Sequence, residues 1–89
     1  MRVVIEFFAT LRDKYGRRID LNLNVNEPVS VREVLSHVEG LLDEITENGR
    51  LKEMYKVLVN GLNIEFLKGL DTEVNDGDEI CVFPPAGGG

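Results

Sequence analysis

The sequence predicts an α+β fold, a small mixed sheet with one main helix packed on one face, and three observations predict it. Two strand-like runs open the chain, Val3 to Phe8 and Ile19 to Val25. A stretch with helical hydrophobic spacing comes next, from Val31 to about Leu42. Shorter strand patterns then lead to a last apolar run, Glu79 to Phe83. With 89 residues the chain suits one domain and one modest core.

Val3 to Phe8 is rich in β-branched and aromatic residues, which pack well on a pleated surface. Ala9 to Gly16 reads as a connection with a helical turn, closed by Gly16. Ile19, Leu21, Leu23 and Val25 alternate with Asp20, Asn22 and Asn24, the period-2 pattern of a half-buried strand. Ser30 and Glu33 form a capping-box signature that starts the helix. Val31, Val34, Leu35, Val38, Leu41, Leu42 and Ile45 recur at helical spacing, and Gly40 weakens the late turns. Glu44 to Tyr55 is ambiguous, with a turn at Asn48-Gly49. Lys56 to Asn60 reads as a strand ending in the tight-turn pair Asn60-Gly61. Asn63 to Leu67 is a candidate short strand, Leu70-Asp71-Thr72 a brief turn, and Asn75-Asp76-Gly77-Asp78 the turn into the last strand.

One helix must cover one face of this sheet. The first two strands form a hairpin-like pair, the helix crosses over, and the last strand returns beside the first. That layout is the ubiquitin-like β-grasp, preferred to a ferredoxin-like fold, which needs a second helix. The expected division is a β-grasp body over residues 1–83 and an extended glycine tail over 84–89.

Composition narrows the function. The formal net charge is −6, which opposes nucleic-acid binding and favours docking on a basic protein surface. The one cysteine, Cys81, excludes an internal disulfide and fits a reducing compartment. No apolar run is long enough to span a membrane, and the strand pattern at Met1 leaves no signal peptide, so a cytoplasmic location is expected. One Cys and one His cannot supply a four-ligand zinc site, and no metal is expected.

Two features point to chemistry. First, Glu6 and Glu79 are too costly to bury against a helix. Strand alternation then turns Val4, Phe8, Cys81 and Phe83 to the open face, joined by Leu58 if Val57 and Val59 point inward. An apolar cluster of this kind marks a partner surface unless a loop such as Asn63 to Gly69 covers it. Second, the chain closes with Phe83-Pro84-Pro85-Ala86-Gly87-Gly88-Gly89. Pro84 ends the strand, and the two prolines hold the adjoining residues extended and away from the body. Glycine orders poorly, so three at a chain end contribute little stability. They suit a bare carboxylate that must pass through a narrow channel into another protein's active site, against the plainer reading of a frayed end.

Residues Phe7-Phe8-Ala9-Thr10-Leu11-Arg12, Val59-Asn60-Gly61, Asp76-Gly77-Asp78-Glu79-Ile80 and the terminal F-P-P-A-G-G-G lie in the order and spacing of one family's motifs. Over nearly its whole length the chain resembles the molybdopterin synthase small subunits, MoaD. Ala86 and Gly87 depart from that family's usual ending, V-A-G-G, without changing its length. The resemblance implies a sulfur carrier with no catalytic site of its own and no bound cofactor. An adenylyltransferase of the ubiquitin-activating type would use ATP to adenylate the Gly89 carboxylate, and a sulfur donor would convert it to a thiocarboxylate. That group would give sulfur to a cyclic pyranopterin monophosphate held by the large subunit of molybdopterin synthase, forming the dithiolene. Gly88 would keep the tail slim. Phe8, Arg12, Phe83, Pro84, Pro85 and, less centrally, Leu62 would meet the partner.

A ubiquitin-like modifier, conjugated to lysine through the same glycine, shares fold, tail and activation, and a thiamine-type carrier is similar though generally shorter. A plain binding module with an inert tail is a further alternative. Other candidates carry less. His37 sits on the helix's polar side, and Cys81 reads as a small apolar strand residue. The acidic residues Asp71 to Glu79 lack EF-hand spacing. Arg12, Lys14, Arg17 and Arg18 form one basic cluster suited to docking or solvation.

Overall fold

The computed structural model describes residues 1–86. In chain order its elements are β1 (Arg2–Phe7), α1 (Thr10–Tyr15), β2 (Arg18–Asn22), β3 (Val29–Ser30), α2 (Val31–Leu35), α3 (Leu41–Ile45), β4 (Thr46–Glu47), β5 (Arg50–Leu51), β6 (Lys56–Val59), β7 (Leu62–Asn63), β8 (Glu73–Val74) and β9 (Glu79–Phe83), with 3-10 turns at Ile64–Phe66 and Gly69–Asp71. The main sheet runs β2-β1-β9-β6-β7. The β1–β9 pair is parallel, with Ile5 opposite Ile80, and the other three pairs are antiparallel. This is the β-grasp expected from the element order.

Period-2 alternation builds the core. Val3, Ile5 and Phe7 of β1, Val57 and Val59 of β6, and Ile80 and Val82 of β9 point inward and are buried. Val31, Val34, Leu35, Leu41 and Ile45 cover them from the helical layer. Fully burying one such side chain is worth about 1.5–3 kcal/mol, so this two-layer contact supplies most of the fold's stability.

Three expectations change. The single helix from Val31 to Leu42 is two short helices. Helical bonding stops after Leu35, where the His37 and Val38 N–H groups donate back only three residues, to the Val34 and Leu35 carbonyls at 3.2 and 3.1 Å, and Gly40 at φ +81° then redirects the chain into α3. Core contact nevertheless continues through Val38. The Ser30 cap forms as expected, its Oγ accepting from the Glu33 N–H at 3.0 Å.

The strand expected over Asn63 to Leu67 stops at Asn63. Its Oδ1 accepts from the Glu65 N–H at 2.9 Å, a local bond that competes with the ladder and starts the 3-10 turn. The second strand ends at Asn22 rather than Val25 because β1 offers no further partner. Met1 and Leu23 still exchange backbone hydrogen bonds at 2.7 and 2.9 Å, while Val25 is exposed. The ambiguous segment 44–55 holds the end of α3 and the β4–β5 hairpin, turned by Asn48 and Gly49 at positive φ.

Candidate functional site

The outer face of the sheet and the root of the tail come together at the C-terminal ends of the parallel pair β1 and β9. Alternation turns Val4, Glu6 and Phe8 outward, with Cys81, Phe83 and Leu58, and all of these side chains are half-buried. The Phe8 N–H donates to the Val82 carbonyl at 3.2 Å, carrying the β1 register one residue past the strand. Phe8 therefore lies beside Phe83, and their rings stack with centroids 4.2 Å apart and planes 12° from parallel. The chain then reverses at Ala9, φ +51°, into α1.

Helix α1 returns Arg12 over this stack. Its Nε donates to the Phe7 carbonyl at 2.9 Å, and its guanidinium carbon lies 5.2 Å from the Phe8 ring centroid. Phe8 thus meets the Arg12 guanidinium in a cation–π contact and Phe83 in an aromatic stack. The guanidinium remains exposed, with further donors facing outward for a carboxylate. Pro84 follows Phe83 and is half-buried, while Pro85 and Ala86 are exposed. Gly88 and Gly89 lie outside the described residues.

Leu62 is not brought to this cluster. Register pairs it with buried Val59, so it stands on the opposite side of the sheet from Leu58, at the edge and 61% exposed. Lys56 is a neighbour that sequence reasoning missed. It pairs directly with Phe83 across β6 and β9 and adds a cation to the tail root. Only the register of two distant strands reveals it.

The remaining candidates have structural roles. Burial, then the Glu6 and Glu79 carboxylates, push the Cys81 thiol above its ordinary pKa, the wrong direction for a nucleophile. In the acidic turn, the Arg2 N–H donates to Asp76 Oδ1 at 2.7 Å. The Asn75 N–H and Asn60 Nδ2 donate to the Asp78 carboxylate at 2.8 and 2.9 Å. These carboxylates clasp the start of β9. Among the described residues no cluster of three His, Cys, Asp or Glu side chains is arranged to hold a metal ion, and no helix is long and apolar enough to cross a membrane. In the basic cluster, Lys14 pairs with Glu44 at 3.0 Å and Arg18 with Asp20 at 3.7 Å. His37 is exposed.

Glu44 also accepts from the Tyr15 hydroxyl at 2.7 Å, and the Tyr15 ring packs on Phe7 at 5.3 Å. Burial first, then this bond, push the Tyr15 phenol up to about 12. The same bond, outweighing burial and assisted by Lys14, holds the Glu44 carboxyl below its ordinary value. The network ties α1, which carries Arg12, to α3.

The sequence matches the ThiS family over residues 5–89. It is 36% identical over 93 aligned positions to small archaeal modifier protein 3 of Haloferax volcanii, with 100% of both chains covered. It is 32% identical over 91 positions to a molybdopterin synthase sulfur carrier subunit of Chlamydomonas reinhardtii, again with 100% of both covered. The fold superimposes on small archaeal modifier protein 1 of Methanosarcina acetivorans with a TM-score of 0.72 at 32% identity, over 99% of this chain and 96% of that one. The relatives thus divide between carriers and modifiers, and the resemblance to molybdopterin synthase subunits is one branch of a wider likeness.

Proposed function

The chain belongs to the ThiS family, and we propose that it is a ubiquitin-like sulfur carrier whose reactive group is the α-carboxylate of Gly89. The observation that carries this reading is the Arg12–Phe8–Phe83 cluster at the root of a Pro-Pro arm. A rigid apolar and cationic platform gives an enzyme a fixed hold at the point from which the arm departs. Rigidity here lowers the ordering cost of binding. Arg12, Phe8, Phe83 and Pro84 form that hold, Pro85 extends it along the chain, and Leu62 meets only a partner that also wraps the β7 edge.

The chemistry explains why activation is needed. A terminal carboxyl has a pKa near ~3.5 and is anionic at neutral pH, so it resists nucleophiles. Attack by the carboxylate on the α-phosphorus of ATP, held by the activating enzyme, releases pyrophosphate and leaves an acyl adenylate. A sulfur nucleophile then displaces AMP on the way to the thiocarboxylate. This chain contributes the slim terminus, with Gly88 adding no side chain, and supplies no acid, base or bound cofactor. The sulfur acceptor is a cyclic pyranopterin monophosphate on the large subunit of molybdopterin synthase, a destination supported by the alga's carrier subunit.

A second reading, in which the same adenylate is attacked by a lysine amine to form an isopeptide bond, is favoured by the similarity to the archaeal modifier. Truncation tests both. Removing Gly88 and Gly89 leaves the fold intact and abolishes sulfur transfer and conjugation alike. If the truncated chain still supports molybdopterin synthesis, the terminal carboxylate is not the carrier group.

A further inference from the structure

A second feature lies away from the tail-root stack, beyond strand β6. Phe66 is 83% exposed, an unusual position for so large an apolar side chain. The backbone holds it there. The Asn63 side chain caps the start of its 3-10 turn, the Leu67 N–H donates to the Ile64 carbonyl at 2.9 Å, and the Lys68 N–H donates to Thr72 Oγ1 at 3.1 Å. Ile64 anchors the turn in the core at 1% exposure. Phe66 is therefore a fixed knob, with exposed Leu62 and Leu67 in the same segment.

A hole adjoins the knob. A groove of about 390 Å³ opens between this turn and the β4–β5 hairpin, with Leu51, Tyr55, Ile64 and Leu70 among its lining residues. Glu65 and Lys68, which flank Phe66 in sequence, also line this groove. Both are exposed, and neither joins an ion pair among the described residues. Knob, hole and a pair of opposite charges thus occupy one patch, which makes the patch complementary to itself.

We propose that this patch is a self-association site, through which two copies of the chain pair about a two-fold axis. Phe66 of each copy enters the groove of the other, and Glu65 of each faces Lys68 of the other. An isologous contact needs the same patch on both partners to supply knob and receptor, and the adjacency of Phe66 to the groove provides that. With one anchor and one groove per copy, the pairing is a weak one, of the kind found at the low end of interface sizes. Phe66 is its anchor, as buried aromatic residues are at interface centres.

Sedimentation equilibrium on the full chain, from low micromolar to about 1 mM, tests this. The wild-type chain shows concentration-dependent dimerisation. Phe66→Ala, on an exposed side chain that leaves the core untouched, stays essentially monomeric over this whole range. Glu65→Lys and Lys68→Glu each weaken pairing, and the double variant Glu65→Lys/Lys68→Glu restores it, because the two-fold then faces opposite charges again. A wild-type chain that stays monomeric throughout the range overturns the proposal. So does a Phe66→Ala dissociation constant equal to wild type, or a double variant as weak as the sum of the singles. Heteronuclear spectra of each variant establish that the fold is retained.

Discussion

Truncating Phe8 and Phe83 to alanine, singly and together, measures how rigid the tail root is. Each ring is half-buried, so each single change loses roughly half of the 3–5 kcal/mol that a fully buried phenylalanine costs, or about 2 kcal/mol. The stacking itself, at 4.2 Å and 12°, adds about 1 kcal/mol beyond area burial. Each single variant forfeits that contribution, but the double variant forfeits it only once. The double is therefore about 1 kcal/mol more stable than the singles predict by addition. Urea denaturation of the four proteins at neutral pH reads this directly, and thermal melts show each single change, at about 3 kcal/mol in all, lowering the melting temperature by about 15 °C. Repeating the cycle on affinity for a tail-gripping partner asks whether the stack is a preformed hold. Strict additivity in stability, within about 0.3 kcal/mol, refutes the claim that the two rings act as one platform.

Tyr15→Phe keeps the ring on Phe7 but removes the donor to Glu44, costing about 1.5 kcal/mol at neutral pH by urea denaturation, the lower end for a charged partner because Glu44 is 27% exposed and keeps Lys14. The Glu44 carboxyl is depressed in the folded state, so its contribution is present above 4.5 and lost as pH falls through the folded value; the wild-type advantage over Tyr15→Phe narrows there. The Tyr15 phenol is raised from 10.0 to about 12, so the wild type also loses stability as pH rises through that interval and the variant does not, and a pH-independent difference contradicts the network. Gly40→Ala destabilises by about 1–2 kcal/mol through its positive φ alone, since its Cβ would meet only the Tyr15 hydroxyl at 3.8 Å; an unchanged melting temperature contradicts the strained turn. Cys81 alkylates more slowly than a free thiol at mildly alkaline pH, and faster labelling contradicts its raised pKa.

Much of this was legible in the residues. The alternation of Val3, Ile5 and Phe7 against Val4, Glu6 and Phe8 fixed the inner and outer faces of β1, because carboxylates resist burial whatever the fold. The helix boundary was not. Val34, Leu35, Val38, Leu41 and Ile45 keep helical spacing across the break between Leu35 and Leu41, because periodicity reports which side meets the core and not how the backbone is bonded. The stack of Arg12 on Phe8 depends on the reversal at Ala9, a positive φ that no local pattern announces. The family resemblance places Leu62 among the docking residues, but its pairing with Val59 turns it to the other side. Phe66 stood inside an apparent strand, where only Asn63 as a local cap signals that the ladder ends.

Intact-mass spectrometry of the chain after incubation with its activating enzyme, ATP and a sulfur donor decides whether Gly89 carries sulfur. A carrier gains the mass of one oxygen exchanged for one sulfur, localised by fragmentation to Gly89 and absent without ATP. An unchanged terminus, or sulfur found on Cys81 instead, contradicts it.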